Sequence, residues 1–445
     1  MPHLCRHTAS LLARDRAIAG LPLLFDTDAL VAHLNSAGGS PPITAADLTY
    51  LRYKPGTNCL AKYRLHTASG PVDVYAKAYS DEDAAEKLAK DRQRPAVAGP
   101  LGCGRWFFAA RNLVISAFPN DAKLRYLARL GDPTRVRQHL TRILGAAEVR
   151  PDVALQPLAY KPERRYVVRA SWTDDTGATL EHVIKYVTAQ EFARVQPLLQ
   201  CLEVQPIPGI PQLAGMSGRY RALAFAWQPG TGLREITAAA NIDYRYLEAT
   251  GRALALFHRQ AAAIKTLPCR DFAARLQALN EQMAFLLPSL ETRMDTLVRE
   301  LIAWWKDQNE TCGVVHGDFY DKQVVVTGEH VSILDIDSVE SGHPTRDLGL
   351  FIAHLERDAI SGNVAAAEVT RLGDALLRGY LRAGGEIAID QLRAYTAFGL
   401  AQLAHHPFRS NETHWAEKTE RLLIRATALF DSARVTAIPL GGKAS

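Results

Sequence analysis

The sequence predicts an α+β fold in which strands dominate the first half and helices the second. Three observations carry this. Residues 26–130 and 132–236 read as two copies of one strand-rich unit. From Tyr244 the apolar spacing turns helical, with Leu247, Gly251, Leu254, Ala255 and His258 on one face. Between the helices, two short apolar runs flank Thr327-Gly328-Glu329, where a glycine between β-branched stretches predicts a tight turn.

The repeat is visible position by position. Each copy opens on an aspartate and a helical stretch that ends in His-Leu: Asp26 to His33-Leu34, and Asp132 to His139-Leu140. Leu51-Arg52-Tyr53-Lys54-Pro55 then matches Leu158-Ala159-Tyr160-Lys161-Pro162. Alternating strands follow, with glycine turns at Gly70 and Gly177, and then Val74-Tyr75-Ala76-Lys77 against His182-Val183-Ile184-Lys185. Both copies close on an apolar strand and a proline, Pro119 and Pro229. The offset grows from 106 at the His pair to 107 at the Tyr pair, 108 at the Lys pair and 110 at the prolines. Slow drift of this kind is what loop insertions leave in a duplicated unit.

The second half predicts helices at Phe272–Leu287 and Arg293–Trp305, divided by Pro288. Further helices are expected at Leu348–Arg357, Val364–Arg382, Asp390–His405 and Trp415–Ala433. Residues 405–412 read as a polar-aromatic loop between helices, and the tail from residue 437 reads as disordered.

Composition sets bounds. The chain has 445 residues, 47% hydrophobic and 22% charged, enough for two or three globular domains. There is no apolar run of about 18 residues and no apolar N-terminal core, so neither a membrane span nor a secretory signal is expected. Six scattered cysteines (5, 59, 103, 201, 269 and 312) form no Cys-x-x-Cys pair and point to buried thiols in a reducing cytoplasm. Residues 1–235 hold 30 basic and 21 acidic side chains, and residues 236–445 hold 22 and 26. The basic front half suits nucleotide phosphates, and the milder acidic back half tolerates a cationic substrate. No concentrated basic patch suggests nucleic-acid binding.

The chemistry-bearing stretch is Val314-Val315-His316-Gly317-Asp318, with Gln323 five positions on and Ile333-Leu334-Asp335-Ile336-Asp337 beyond it. Phosphoryl transfer needs a carboxylate beside the attacking hydroxyl, and an amide and a second carboxylate to hold Mg²⁺ against the nucleotide phosphates. Asp318, Gln323 and Asp335 supply those groups in that order.

His-Gly-Asp followed by an amide and then Leu-Asp-Ile-Asp resembles the aminoglycoside phosphotransferase family of the protein-kinase-like superfamily. Gly342-His343-Pro344-Thr345-Arg346-Asp347-Leu348 also resembles that family's segment after its metal aspartate. The resemblance implies a protein-kinase-like bilobal fold with a mostly helical C-lobe, and the repeat adds a duplicated N-lobe-like domain. It implies Asp318 as catalytic base, Gln323 and Asp335 as metal ligands with Asp337 assisting, and Asp347 as a structural tie from the catalytic loop to the next helix. Lys185 resembles the kinase strand lysine, with Glu191 as its helix partner. The stretch Ala224–Leu233 resembles the family hinge, where backbone groups at Phe225, Ala226 and Trp227 meet adenine. Position 323 departs from the pattern, since the family has asparagine there.

The expected domains are an accessory N-lobe-like repeat (1–131), a working N-lobe (132–236), a helical C-lobe (237–436) and the tail (437–445). In the first copy, Lys77 has Glu82 or Glu86 as possible partners. The implied activity is an ATP- and Mg²⁺-dependent kinase that moves the γ-phosphoryl group to an alcohol on a sugar, aminoglycoside or amino alcohol. The alternative is a nucleotide-binding pseudokinase or regulatory scaffold, motivated by Gln323, the extra lobe and Glu163-Arg164-Arg165 where a phosphate-covering turn favours glycine. A protein kinase fits less well, because the chain lacks an Ala-Pro-Glu segment. The expected partners are a nucleotide and a small hydroxyl substrate, with no nucleic acid and no membrane.

Overall fold

The computed structural model describes residues 5–436 apart from 39–40, 146–148, 151, 205, 262–263, 265–266, 269–270 and 309–312. The expected disordered tail lies outside the described residues. Helix and sheet are mixed, and the chain clusters into two compact units. One gathers residues 1–196, 213–227 and 407–415, and the other 197–212, 228–406 and 416–445.

The first unit begins with three short helices, α1 (Arg6–Arg14), α2 (Leu21–Phe25) and α3 (Thr27–Ser36). Strands β1 (Ile43–Lys54), β2 (Asn58–Thr67) and β3 (Val72–Tyr79) follow, then α4 (Asp81–Arg92), β4 (Arg105–Phe108) and β5 (Leu113–Ala117). After α5 (Pro133–Leu144) come β6 (Ala154–Lys161), β7 (Arg165–Thr173), β8 (Thr179–Val187), α6 (Ala189–Val204), β9 (Leu213–Ser217) and β10 (Ala222–Ala226). These strands form two five-stranded antiparallel sheets ordered β1-β2-β3-β5-β4 and β6-β7-β8-β10-β9. The order is the same in both, and a helix follows the third strand of each.

Local chemistry explains the matching sequence positions. Asp26 caps α3 by accepting from Ala29 N–H, and Asp132 caps α5 by accepting from Thr134 and Arg135 N–H. The two helices then differ, because α3 packs on β1 whereas α5 packs on β9 and β10. Along β7, Tyr166, Val168, Ala170 and Trp172 alternate inward and meet Val136, Leu140 and Ile143 of α5.

The first hairpin of each sheet turns through three residues, Pro55-Gly56-Thr57 and Pro162-Glu163-Arg164. The central residue is left-handed in both, Gly56 at φ 65° and Glu163 at φ 56°. A buried aspartate clamps each turn. Asp15 Oδ2 accepts from Tyr53 Oη at 2.6 Å and from Gly56 N–H at 2.9 Å. Asp121 Oδ2 accepts from Tyr160 Oη at 3.0 Å and from Glu163 N–H at 2.8 Å. The Lys77 ammonium donates to both oxygens of Glu163 at 2.9 Å, so its carboxylate partner is neither Glu82 nor Glu86. Those two sit on the adjoining α4, where local spacing suggested a pair.

Residues 407–415 belong to this unit by packing. The Arg409 guanidinium lies 5.0 Å from the Tyr50 ring, and Trp415 Nε1–H donates to Thr8 Oγ1 at 3.1 Å. The loop foreseen at 405–412 holds a short helix, α14 (His406–Arg409).

In the second unit, β11 (Thr231–Gly232), α7 (Leu233–Thr237), α8 (Arg245–Ala261), α9 (Phe272–Leu286) and α10 (Glu291–Asp307) precede β12 (Gly313–Val315). Then come β13 (Val324–Thr327), β14 (His330–Ile333), β15 (Glu340–Gly342), α11 (Thr345–Ile360), α12 (Ala366–Arg382), α13 (Ile389–Leu403) and, after α14, α15 (Trp415–Thr436). Strands β13 and β14 form the foreseen hairpin around Gly328, with β11 on the other side of β13. Strand β12 pairs with β15. Of the cysteines, Cys59 is buried, Cys103 half-buried, and Cys5 and Cys201 exposed, all four as free thiols. The expectation of buried thiols therefore holds for Cys59; Cys269 and Cys312 lie outside the described residues. No helix among the described residues is long and apolar enough to cross a membrane.

Candidate active site

Two short sheets deliver the acidic loop of the second unit. Strand β12 ends at Val315, and the chain turns at once through His316, Gly317 and Asp318. Gly317 adopts φ 78°, and a Cβ there would lie 2.4 Å from the Ser338 carbonyl oxygen. Only glycine relieves both the left-handed backbone and that close approach. The glycine of His-Gly-Asp is thus a steric requirement of this turn.

His316 and Asp347 fix the loop from beneath. His316 is fully buried, and its Nε2–H donates to Leu334 O at 2.8 Å. Asp318 N–H reaches back to His316 Nδ1 at 3.4 Å, which assigns the proton to Nε2 by its partners. Leu334 N–H in turn donates to Gln323 O at 2.7 Å, so the segments carrying residues 318, 323 and 335 are stitched together. Asp347, at the start of α11, accepts from His316 N–H at 2.6 Å, Gly317 N–H at 2.9 Å and His258 Nε2–H at 2.9 Å. Burial would raise its pKa. The hydrogen bond and charge of His258, with His316 and the Gly317 amide, overcome this and hold it below the usual carboxylate range. This is the structural tie expected of Asp347. His258 is likewise structural, held between Asp347 and Tyr380 Oη.

The side chains of Gln323 and Asp335 meet, with Gln323 Nε2 3.3 Å from Asp335 Oδ2. Asp335 sits in the left-handed region at φ 60°, uncommon for a residue with a side chain. Asp337 is buried one turn on, and Asp318 is half-buried. The far side of the loop is locked by Arg234 of α7. Its guanidinium bridges Asp321, at 3.1 Å, to Asp358 of α11, and Thr237 Oγ1 also reaches Asp321. These residues lie 87 and 124 positions from Arg234 in the chain, so spacing gave no sign of them.

In the first unit, Lys185 lies on β8 between Val167 of β7 and Leu223 of β10, only 8% exposed. Its ammonium is 5.5 Å from the Phe225 ring centroid. Glu191, expected opposite Lys185, pairs with Arg194 at 2.5 Å, one turn along α6. Ala226 ends β10 opposite His182, and Trp227 N–H donates to Glu181 O at 3.2 Å. The Arg169 guanidinium stacks 4.3 Å from the Trp227 ring.

The carboxylates of Asp335 and Asp337 and the amide oxygen of Gln323 are donors of the type a hard divalent cation takes, while it is the Gln323 amide nitrogen that faces Asp335 Oδ2. No group of three or more His, Cys, Asp or Glu side chains suited to a metal occurs among the described residues. Mg²⁺ typically takes one or two carboxylates and completes its shell with phosphate oxygens and water.

The profile of the phosphotransferase enzyme family, APH, matches residues 161–395. None of the curated proteins compared matches the chain. Among solved structures, the chain is similar to the amicoumacin kinase hAmiN in complex with AMP-PNP, Ca²⁺ and Ami, at 13% identity and TM-score 0.47, covering 68% of this chain and 94% of that one. Similarity to the macrolide 2'-phosphotransferase MphH from Brachybacterium faecium reaches 18% identity and TM-score 0.42, covering 69% and 98%. A Plasmodium vivax ethanolamine kinase aligns at 12% identity and TM-score 0.48, covering 67% and 90%.

Proposed function

The chain belongs to the APH phosphotransferase enzyme family, and on that premise we propose that it is an ATP-dependent small-molecule kinase using Mg²⁺. It is a phosphotransferase acting on a hydroxyl acceptor. The reading assigns the γ-phosphoryl group of ATP as the group moved, and a sugar, aminoglycoside or amino alcohol as the acceptor.

The observation that carries it is the acidic loop held by His316 and Asp347, which stitches the segments bearing Asp318, Gln323 and Asp335 together. In this reading Asp318 orients the acceptor hydroxyl and takes its proton. Asp335, Gln323 and Asp337 hold the cation, which neutralises charge on the phosphates when bound. Lys185 is assigned to the nucleotide phosphates and backbone groups at Phe225–Trp227 to adenine. Glu191 serves at most by orienting α6, since Arg194 takes its carboxylate. The two sheets of the first unit are read as copies of one kinase-type N-lobe, on the strength of their common strand order and paired Asp–Tyr clamps.

The test is phosphate transfer from ATP and Mg²⁺ across a panel of hydroxyl metabolites. Asp318→Asn is expected to abolish transfer while nucleotide affinity stays within about twofold. Wild-type rates in that variant would remove Asp318 from the mechanism. Gln323 favours a second reading, a nucleotide-binding scaffold, because its amide nitrogen lies toward the Asp335 carboxylate. ATP binding without turnover on any acceptor would support the scaffold.

A further inference from the structure

The turn between β6 and β7 occupies the place at which a kinase-type N-lobe covers the nucleotide phosphates, if the proposed function holds. Glycine is the usual residue there, because backbone amides must approach the phosphates and the turn demands positive φ. Here that position is Glu163, at φ 56°. An acidic side chain at a phosphate-covering turn would repel the ligand. It does not face outward, however; Glu163 is 2% exposed.

Its carboxylate is held by the other sheet. Lys77 Nζ on β3 lies 2.9 Å from both oxygens, and an Arg52 guanidinium nitrogen on β1 donates to Oε2 at 2.8 Å. Arg52 also reaches Pro162 O at 3.4 Å, and Lys62 of β2 reaches Tyr160 O at 3.3 Å. Asp121, between β5 and α5, takes the Glu163 amide and the Tyr160 hydroxyl. Seven hydrogen bonds to residues 52–121 thus converge on residues 160–163. Burial alone would raise the Glu163 pKa, but Lys77 and Arg52 reverse this and hold it below the usual range. Removing one partner of a buried ion pair leaves an uncompensated charge, so Lys77, Arg52 and Glu163 hold each other in place.

We propose that Lys77 and Arg52 of the first sheet are positioning residues for the nucleotide, acting through Glu163 to hold the β6–β7 turn in its phosphate-covering geometry. The lysine that matches Lys185 by strand position thereby serves as an anchor. The first sheet preorganises the turn, so that its ordering cost is met before the nucleotide arrives.

The experiment measures ATP KM, kcat and direct nucleotide affinity for Lys77→Met, Lys77→Arg and the double variant Lys77→Met/Glu163→Gln. Lys77→Met is expected to raise KM and Kd for ATP about tenfold with kcat within about twofold, and Lys77→Arg to restore both. The double variant removes both charges and so keeps the fold without an orphaned carboxylate; it is expected to show the same weakening. Unchanged ATP affinity in folded Lys77→Met or in the double variant would overturn the proposal. So would a fall in kcat at constant KM. A wild type that binds no nucleotide would instead sink the proposed function itself. Amide exchange at Glu163 in the nucleotide-free wild type gives an independent check. Slow exchange is expected from its bond to Asp121, and exchange at the rate of an open loop would refute preorganisation.

Discussion

Asp347→Asn tests the structural tie of the acidic loop apart from the role proposed for Asp318. The carboxylate accepts three hydrogen bonds: Oδ2 takes His316 N–H and His258 Nε2–H, and Oδ1 takes Gly317 N–H. Asparagine has one acceptor oxygen. Its best placement keeps the two bonds at the Oδ2 position and turns the amide nitrogen onto the Gly317 N–H. One buried donor is then unsatisfied, which costs about 1–3 kcal/mol, and the surviving bonds lose their charge assistance. The expected loss is about 3 kcal/mol, read from urea unfolding at pH 7. The pH dependence supplies a second constraint. The folded-state pKa of Asp347 is depressed, so its contribution is fully present above the ordinary carboxylate pKa and is lost as pH falls through the folded value. The gap between wild type and variant should therefore stay level from pH 7 to about 4 and close below that. A loss under about 0.5 kcal/mol, or a gap that widens in acid, would refute the reasoning.

Two other perturbations follow from the same physics. Gly317→Ala places a Cβ against the Ser338 carbonyl in addition to the left-handed backbone, whereas Gly328→Ala meets nothing within 4 Å at φ 59°. The first should cost about 3 kcal/mol in thermal unfolding and sharply reduce turnover, the second only about 1 kcal/mol; equal costs would show that the contact is irrelevant. His139 is buried against Tyr220, its ring centroid 3.8 Å away, with neither ring nitrogen hydrogen-bonded, and burial with nearby Arg129, Arg219 and Arg135 lowers its pKa to about 4. The unfolded chain takes up that proton near pH 6.5 while the folded ring resists it. Wild type should therefore lose about 3 kcal/mol more than His139→Phe between pH 7 and pH 4, and parallel curves would contradict this.

Periodicity made much of the architecture legible. The 3.6-residue spacing from Tyr244 marked the start of α8 to within a residue, Pro288 marked the break between α9 and α10, and Gly328 marked the β13–β14 turn. The repeat pattern singled out Asp26 and Asp132, which cap α3 and α5. It missed Asp15 and Asp121, because a clamp between an acid and a turn some 40 positions away leaves no periodic trace. The same limit explains Lys77. Local helix logic pointed to Glu82 or Glu86, but the acid that reaches its ammonium is 86 residues on. Glu191 shows the reverse case, where a nearer cation, Arg194, is on the same helix face. In the acidic loop, motif order named the residues that carry oxygen donors, while the supports Arg234, Asp321 and Asp358 were set by tertiary contact alone.

Residues 407–415 have a consequence for how the molecule is made. Trp415 touches Thr8 across 407 positions of chain, and Phe408 packs on Phe25 and Tyr53. The unit that contains both five-stranded sheets therefore stays unfinished on the ribosome until residues 407–415 have emerged. A chain released shortly before Pro407 leaves the apolar side chains around Tyr53 and Phe25 uncovered, a hazard for aggregation that begins more than 350 residues upstream of the cut.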